Sequence, residues 1–226
     1  MAKKDNKKEM QFEEVGEAIS KTEQFIENNQ QKIIKVIGII FATIILVIGI
    51  KNFYLKPLEN EAQSEMFMAE LYFQKDSFNL ALNGDGEYLG FLDISNDFSL
   101  TKSGNLANYY AGLCFLHLAD YENAISYLKD FSSNDIIISS LALGCIGDAY
   151  VELGDNEKAL KYYKNAVNNS DNQFTSPRYL FKQAMIYESQ QEYSKALKIY
   201  NLIKDEYKNS NEAAGIEKYI SRAENR

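Results

Sequence analysis

Tryptophan is absent, histidine occurs once, and proline and cysteine occur twice each. Each shortage excludes something. The lone His117 rules out a multi-histidine metal site and leaves a histidine-dependent triad no choice of member. Cys114 and Cys145 are too few for a disulfide framework or a zinc site. Each lies in an apolar helical pattern and reads as a buried thiol. No cysteine near the N-terminus suggests lipid attachment. Basic charge is also short. After Lys56 the chain holds 25 acidic and 15 basic residues, a net charge of −10. That argues against nucleic acid, whose phosphates need basic surface. Around Gly84-Asp85-Gly86 in NGDGE only Asn83, Asp85 and Glu87 alternate as calcium-loop ligands would, and Ile94 stands where the closing glutamate belongs, so the piece reads as a turn. The expectation is a protein that is not an enzyme, with no catalytic residues, no metal site and no cofactor.

What the chain does have is one long apolar run. Val36 to Ile50 reads VIGIIFATIILVIGI, about 22 Å as a helix. A bilayer core is about 30 Å thick. Adding Ile33, Ile34 and Phe53 to Leu55, with Lys35 and Lys51 snorkelling, closes the gap and gives a span over 33–55. Lys32 and Lys56 become outer anchors, and Phe53 and Tyr54 an interfacial aromatic pair. The residues before the run are rich in Glu as well as Lys, and no small-residue cleavage site comes after it, so it reads as an uncleaved anchor. Lysines before the span favour an N-terminus in the cytoplasm. Residues 1–11 are polar and charged, and are expected to be disordered. Within the 1–32 arm, Phe12, Val15, Ile19, Thr22 and Ile26 recur at helical spacing. This amphipathic helix is either a solvated element or a docking face for a membrane partner.

Residues 56–226 repeat themselves. A small residue, an aromatic three later and an Ala twelve later recur in register: Gly112, Phe115, Ala124; Gly147, Tyr150, Ala159; Ala184, Tyr187, Ala196. Ala69, Tyr72 and Ala81 make an earlier set. In the three later sets a large residue follows the Ala by four: Leu128, Tyr163 and Tyr200. Small residues let two antiparallel helices approach, and Gly112 and Gly147 are expected to face Ala124 and Ala159. The intervening LADYENA, LGDNEKA and SQQEYSKA suit a tight bend, with Asp120 and Asp155 as N-caps. Each pair buries one face only, so the pairs must stack. The earliest set is irregular, because Asn83-Gly84-Asp85-Gly86 should break its second helix. Residues 212–223 read as a solvated capping helix.

These sets resemble tetratricopeptide repeats, the helix-turn-helix unit of about 34 residues. They match over 105–138, 140–173 and 177–210, although the leading Trp is absent and the closing Pro is replaced by Ile136, Asp171 or Lys208. The expected fold is all-α: one N-terminal transmembrane helix, then an α-solenoid of such pairs with a C-terminal capping helix. The arrangement of arm, span and acidic repeat domain is similar to the YfgM-like ancillary subunit family of the bacterial SecYEG translocon. That resemblance implies an inner-membrane protein with its repeats in the periplasm. Its partners would be the translocon, periplasmic chaperones or nascent chains. The alternative is an envelope assembly scaffold bridging fixed folded partners. EYSKALKIYNLIKDEYKNSNEAA also resembles repeats of outer-membrane assembly factors.

The family resemblance further implies a concave protein-binding groove lined by one face of each first helix. Carried over residue by residue, its lining is Met66, Glu70 and Phe73, then Tyr109, Leu113, Leu116 and His117. Asp148, Val151 and Glu152 come next, and then Phe181, Met185 and Glu188. The carboxylate-binding Lys, Arg and Asn that some repeat proteins carry there are missing. The mix of Met, aromatics and acids suits adaptable contact with apolar segments. Part of this face is open to coverage by the chain's own helices.

Overall fold

The computed structural model describes the backbone of residues 2–226 and the side chains of residues 23–25 and 27–226. Among the described residues every regular element is helical. The chain divides into two compact units, the first ending at Lys56 and the second Pro57–Arg226.

The first unit holds helix α1, Ala2–Ile50, followed by a π-helical turn, Lys51–Leu55. The helix takes in residues 2–11, which the polar composition assigned to disorder. Lys and Glu are good helix formers, and extending a formed helix adds a hydrogen bond per residue without a new nucleus. From Ile34 to Ile48 every side chain is exposed, so the unit supplies no core around the apolar run. The run is long and apolar enough to cross a membrane. The proposed docking face, Phe12 to Ile26, has its side chains outside the described residues.

In the second unit, α2 (Lys56–Gln74), α3 (Phe78–Asn83) and α4 (Phe91–Asp97) form the irregular opening. Three helix pairs come after it: α5 (Lys102–His117) with α6 (Tyr121–Asp130), α7 (Ile136–Glu152) with α8 (Asn156–Asn169), and α9 (Ser176–Ser189) with α10 (Tyr193–Glu206). Helix α11 (Ile216–Glu224) closes the stack. As its glycines require, the NGDGE segment ends α3. Gly84 takes φ +77°, and the Asp85 carboxylate accepts the N–H groups of Glu87 and Tyr88 and the hydroxyl of Tyr72. It is a turn.

One bend recurs four times. Ser77, Asp120, Asp155 and Glu192 each donate their N–H to the carbonyl five residues back, at 2.8–2.9 Å. The residue before each one takes a left-handed conformation: Asp76, Ala119, Gly154 and Gln191. This is the Schellman stop of a helix, and its spacing places α2–α3 in register with the three regular pairs. Asp120 and Asp155 then cap the following helices, accepting the N–H groups of Asn123 and Lys158.

The close approach inside each pair differs from the expected glycine-on-alanine contact. A Cβ on Gly112 would lie 2.5 Å from Leu128 Cγ, and one on Gly147 would lie 2.5 Å from Tyr163 Cε1. Glycine here makes room for the large residue, not for Ala124 or Ala159. Antiparallel geometry explains it. Partners sit equidistant from the bend, and Asp120 is eight residues from both Gly112 and Leu128, as Asp155 is from Gly147 and Tyr163. Between pairs, Gly144 does the same for Tyr179, whose ring occupies the place of the missing side chain. The core is thereby continuous through Tyr163 and Tyr179, stacked 5.8 Å apart.

Helix α11 is amphipathic rather than wholly solvated. Ile216, Ile220 and Ala223 are buried against the last pair, each stabilised by removal of its apolar surface from water. At the other end, Glu59 of α2 accepts from the Lys102 N–H (2.6 Å) and the Ser103 hydroxyl (2.9 Å), adding a cap to α5 from 43 residues away. Thr101 supplies the local cap by accepting the Gly104 N–H.

Candidate groove

Because the repeats are in register, the first helices α5, α7 and α9 present equivalent positions in rows. Leu113, Asp148 and Met185 form one row, and Leu116, Val151 and Glu188 the next. His117, Glu152 and Ser189 form a third. Two recesses open along these rows. One, of about 330 Å³, is lined by Leu113, Leu116, His117, Tyr121, Cys145, Asp148 and Glu152. The other, of about 530 Å³, is lined by Asp148, Val151, Glu152, Asn156, Tyr163, Lys182, Met185, Ile186 and Ser189. They meet at Asp148 and Glu152 and lie side by side as a groove across three first helices, and beyond Met185 and Ser189 a further recess is lined by Glu188, Arg222 and Arg226.

Of the residues assigned to the groove from sequence, Leu113, Leu116, His117, Asp148, Val151, Glu152 and Met185 line it. The others do not. Met66 and Tyr109 are buried, at 3% and 9% exposure. Tyr109 packs its ring 5.1 Å from Phe131 of the connecting loop. Phe181, in the same row, meets Tyr219 of α11 edge-on at 4.8 Å. This row, nearest the start of each first helix, is turned into the stack because later segments of the chain pack over it. Phe73 is half-buried among Phe78, Phe91 and Tyr110. Glu70 is half-buried and lines neither recess; burial raises its carboxyl above the usual range. Glu188 is covered. Arg222 of α11 donates two hydrogen bonds of 2.6 Å to its carboxylate, and the Tyr200 hydroxyl donates a third at 2.8 Å. Arg222 holds the Glu188 carboxyl below its ordinary value.

Sequence reasoning missed Lys182. Its ammonium donates to both oxygens of Asp148, at 2.6 and 2.7 Å, and the Tyr163 hydroxyl donates to the same carboxylate at 2.6 Å. The signal was present in Asp148 itself: an acid on the apolar face of α7 requires a cation. Burial first, and Asp148 second, keep the Tyr163 phenol far above its normal range, so it stays a neutral donor. His117 is exposed and lies flat on Phe78, with ring centroids 4.0 Å apart. Glu152 is exposed and makes no ion pair among the described residues.

Burial pushes the thiols of Cys114 and Cys145 up to about 12, which leaves neither as a thiolate nucleophile near neutral pH. Among the described residues no cluster of three His, Cys, Asp or Glu side chains could hold a metal. The groove offers Leu, Val and Met surface with one satisfied ion pair at its centre.

Tetratricopeptide repeats are found at residues 106–135 and 146–211. These matches fall on all three regular pairs, beginning within α5 and leaving out residues 136–145 of α7. A crystal structure of MamA protein superposes with a TM-score of 0.53 at 17% identity, over 72% of this chain and 76% of that one. At that identity the likeness shows the fold alone. No curated protein matches the chain. Tetratricopeptide domains generally bind protein partners.

Proposed function

We propose that this protein is a membrane-anchored interaction module that holds apolar segments of partner proteins in the groove of its repeat domain. The observation that carries the reading is the junction of two recesses across Asp148 and Glu152, walled by Leu113, Leu116, Val151 and Met185. Methionine and leucine surface adapts to varied apolar side chains, which suits a binder of many segments more than an enzyme. Support for the anchor comes from the run over 33–55, apolar throughout its centre and without a surrounding core. With the N-terminus in the cytoplasm, the repeats stand in the periplasm beside the inner membrane. There the clients are emerging chains or their chaperones at the translocon.

The test is cross-linking in cells from a photoreactive residue at Glu152, which is exposed in the groove, whereas Tyr109 is not. Many unfolded clients together with translocon subunits are expected. A single folded partner in fixed ratio would replace this reading with the envelope scaffold. A reporter that is active only outside the cytoplasm, fused after Arg226, is expected to be active. An inactive reporter with intact expression would remove the periplasmic placement.

A further inference from the structure

We infer that the segment held in this groove is basic as well as apolar. The inference rests on the groove reading above and adds the chemistry of the occupant. Charge along the repeat domain is uneven. Residues 57–157 hold 17 acidic and 3 basic side chains, whereas residues 158–226 hold 8 acidic and 12 basic. The three basic residues of the first part, Lys75, Lys102 and Lys129, line neither recess of the groove. Lys129 is drawn elsewhere, with its ammonium 5.9 Å from the ring centres of Tyr150 and Tyr162.

Inside the two recesses the lining cation, Lys182, is committed to Asp148 through both carboxylate oxygens, and in the adjoining recess beyond Met185 Arg222 is likewise committed to Glu188, with Arg226 at the end far from Leu113. Those pairs cancel. Lys158, at the bend beside Asn156, is likewise committed to Asp155 at 2.6 Å. Glu152 remains, exposed at the point where the recesses join and without an ion pair among the described residues. The groove's net charge is therefore negative at its midpoint, and the half of the domain around its Leu113 end is strongly acidic. An acidic occupant meets like charge without a neutralising partner; a lysine or arginine flanked by apolar residues meets Glu152 while its neighbours fill the walls. Charge of this kind acts on partner choice and encounter more than on raw affinity.

The test uses the full chain in nanodiscs of neutral lipid, with empty nanodiscs as the blank. Two labelled synthetic peptides share one Leu/Met scaffold; one carries two lysines and the other two glutamates. Fluorescence anisotropy at low salt is expected to show the lysine peptide binding about tenfold more tightly, with the gap narrowing at high salt. Glu152→Lys should shrink or invert the preference, and Met185→Ala should weaken both peptides alike. Equal binding of both peptides, still sensitive to Met185→Ala, overturns this inference and leaves the groove reading standing. A preference untouched by Glu152→Lys also overturns it, because the charge is then read elsewhere. Binding of neither peptide overturns both.

Discussion

Replacing Gly147 tests the repeat packing most directly, because the space around it is fully accounted for. An added Cβ would lie 2.5 and 2.6 Å from the Tyr163 ring, about 1 Å inside ordinary carbon contact. The ring has little freedom to retreat. Its hydroxyl is bound to Asp148 at 2.6 Å, Tyr179 stacks on it at 5.8 Å, and its exposure is 2%. For Gly147→Ala, overpacking costs about 1–3 kcal/mol and better helix propensity returns about 1 kcal/mol. The net loss is about 0–2 kcal/mol. The third pair shows how the smaller change is absorbed, since Ala184 stands opposite Tyr200 in the same register. Gly147→Leu has no such precedent and should cost about 3 kcal/mol or more. Nearest-neighbour coupling spreads the damage to the flanking pairs. Urea denaturation of the full chain in detergent micelles, followed by far-UV circular dichroism, gives the midpoints. In a double-mutant cycle, Tyr163→Leu should relieve Gly147→Leu by about 2 kcal/mol. A Gly147→Leu protein that unfolds at the parent's midpoint refutes the contact, and absence of relief refutes Tyr163 as the neighbour.

The bends and α11 give two further expected outcomes. Ala119 and Gln191 hold left-handed conformations at φ 60° and 62°, which favour glycine. Ala119→Gly or Gln191→Gly should stabilise by about 0.5 kcal/mol once the extra freedom of the unfolded chain is subtracted, and Gly154→Ala should destabilise. Thermal melts check the signs. The Glu188 carboxyl is depressed in the folded protein by Arg222, so its contribution is fully present above the unfolded pKa of about 4.3 and is lost as pH falls through the lower folded value. The melting advantage of the parent over Glu188→Gln should be steady from neutral pH to about pH 5 and should shrink below about pH 4. A gap that is constant across that range would show that the Arg222 pair contributes nothing.

Local chemistry wrote much of this protein into its sequence. Helix-period spacing and the turn residues around Asp120 and Asp155 determined the helix pairs, because backbone bonds and caps are made within a few residues. The spacing of small, aromatic and alanine positions determined the repeat register, and the glycines of NGDGE determined where the opening unit breaks. The apolar run over 33–55 was legible in the same way, since its length and composition need no neighbours to be read.

Tertiary structure decided what faces what. The sequence offered Ala124 and Ala159 as partners for the helical glycines, but the symmetry of an antiparallel pair about its bend set Leu128 and Tyr163 there. It offered four rows of groove residues as equals. The loop residue Phe131 covered Tyr109, while α11 closed over Phe181 and claimed Glu188 through Arg222. The ion pair of Asp148 with Lys182 joins residues 34 apart, and no local rule links them. Which face of a repeat stays open depends on the residues that arrive from the next one, and periodicity within a helix carries no record of them.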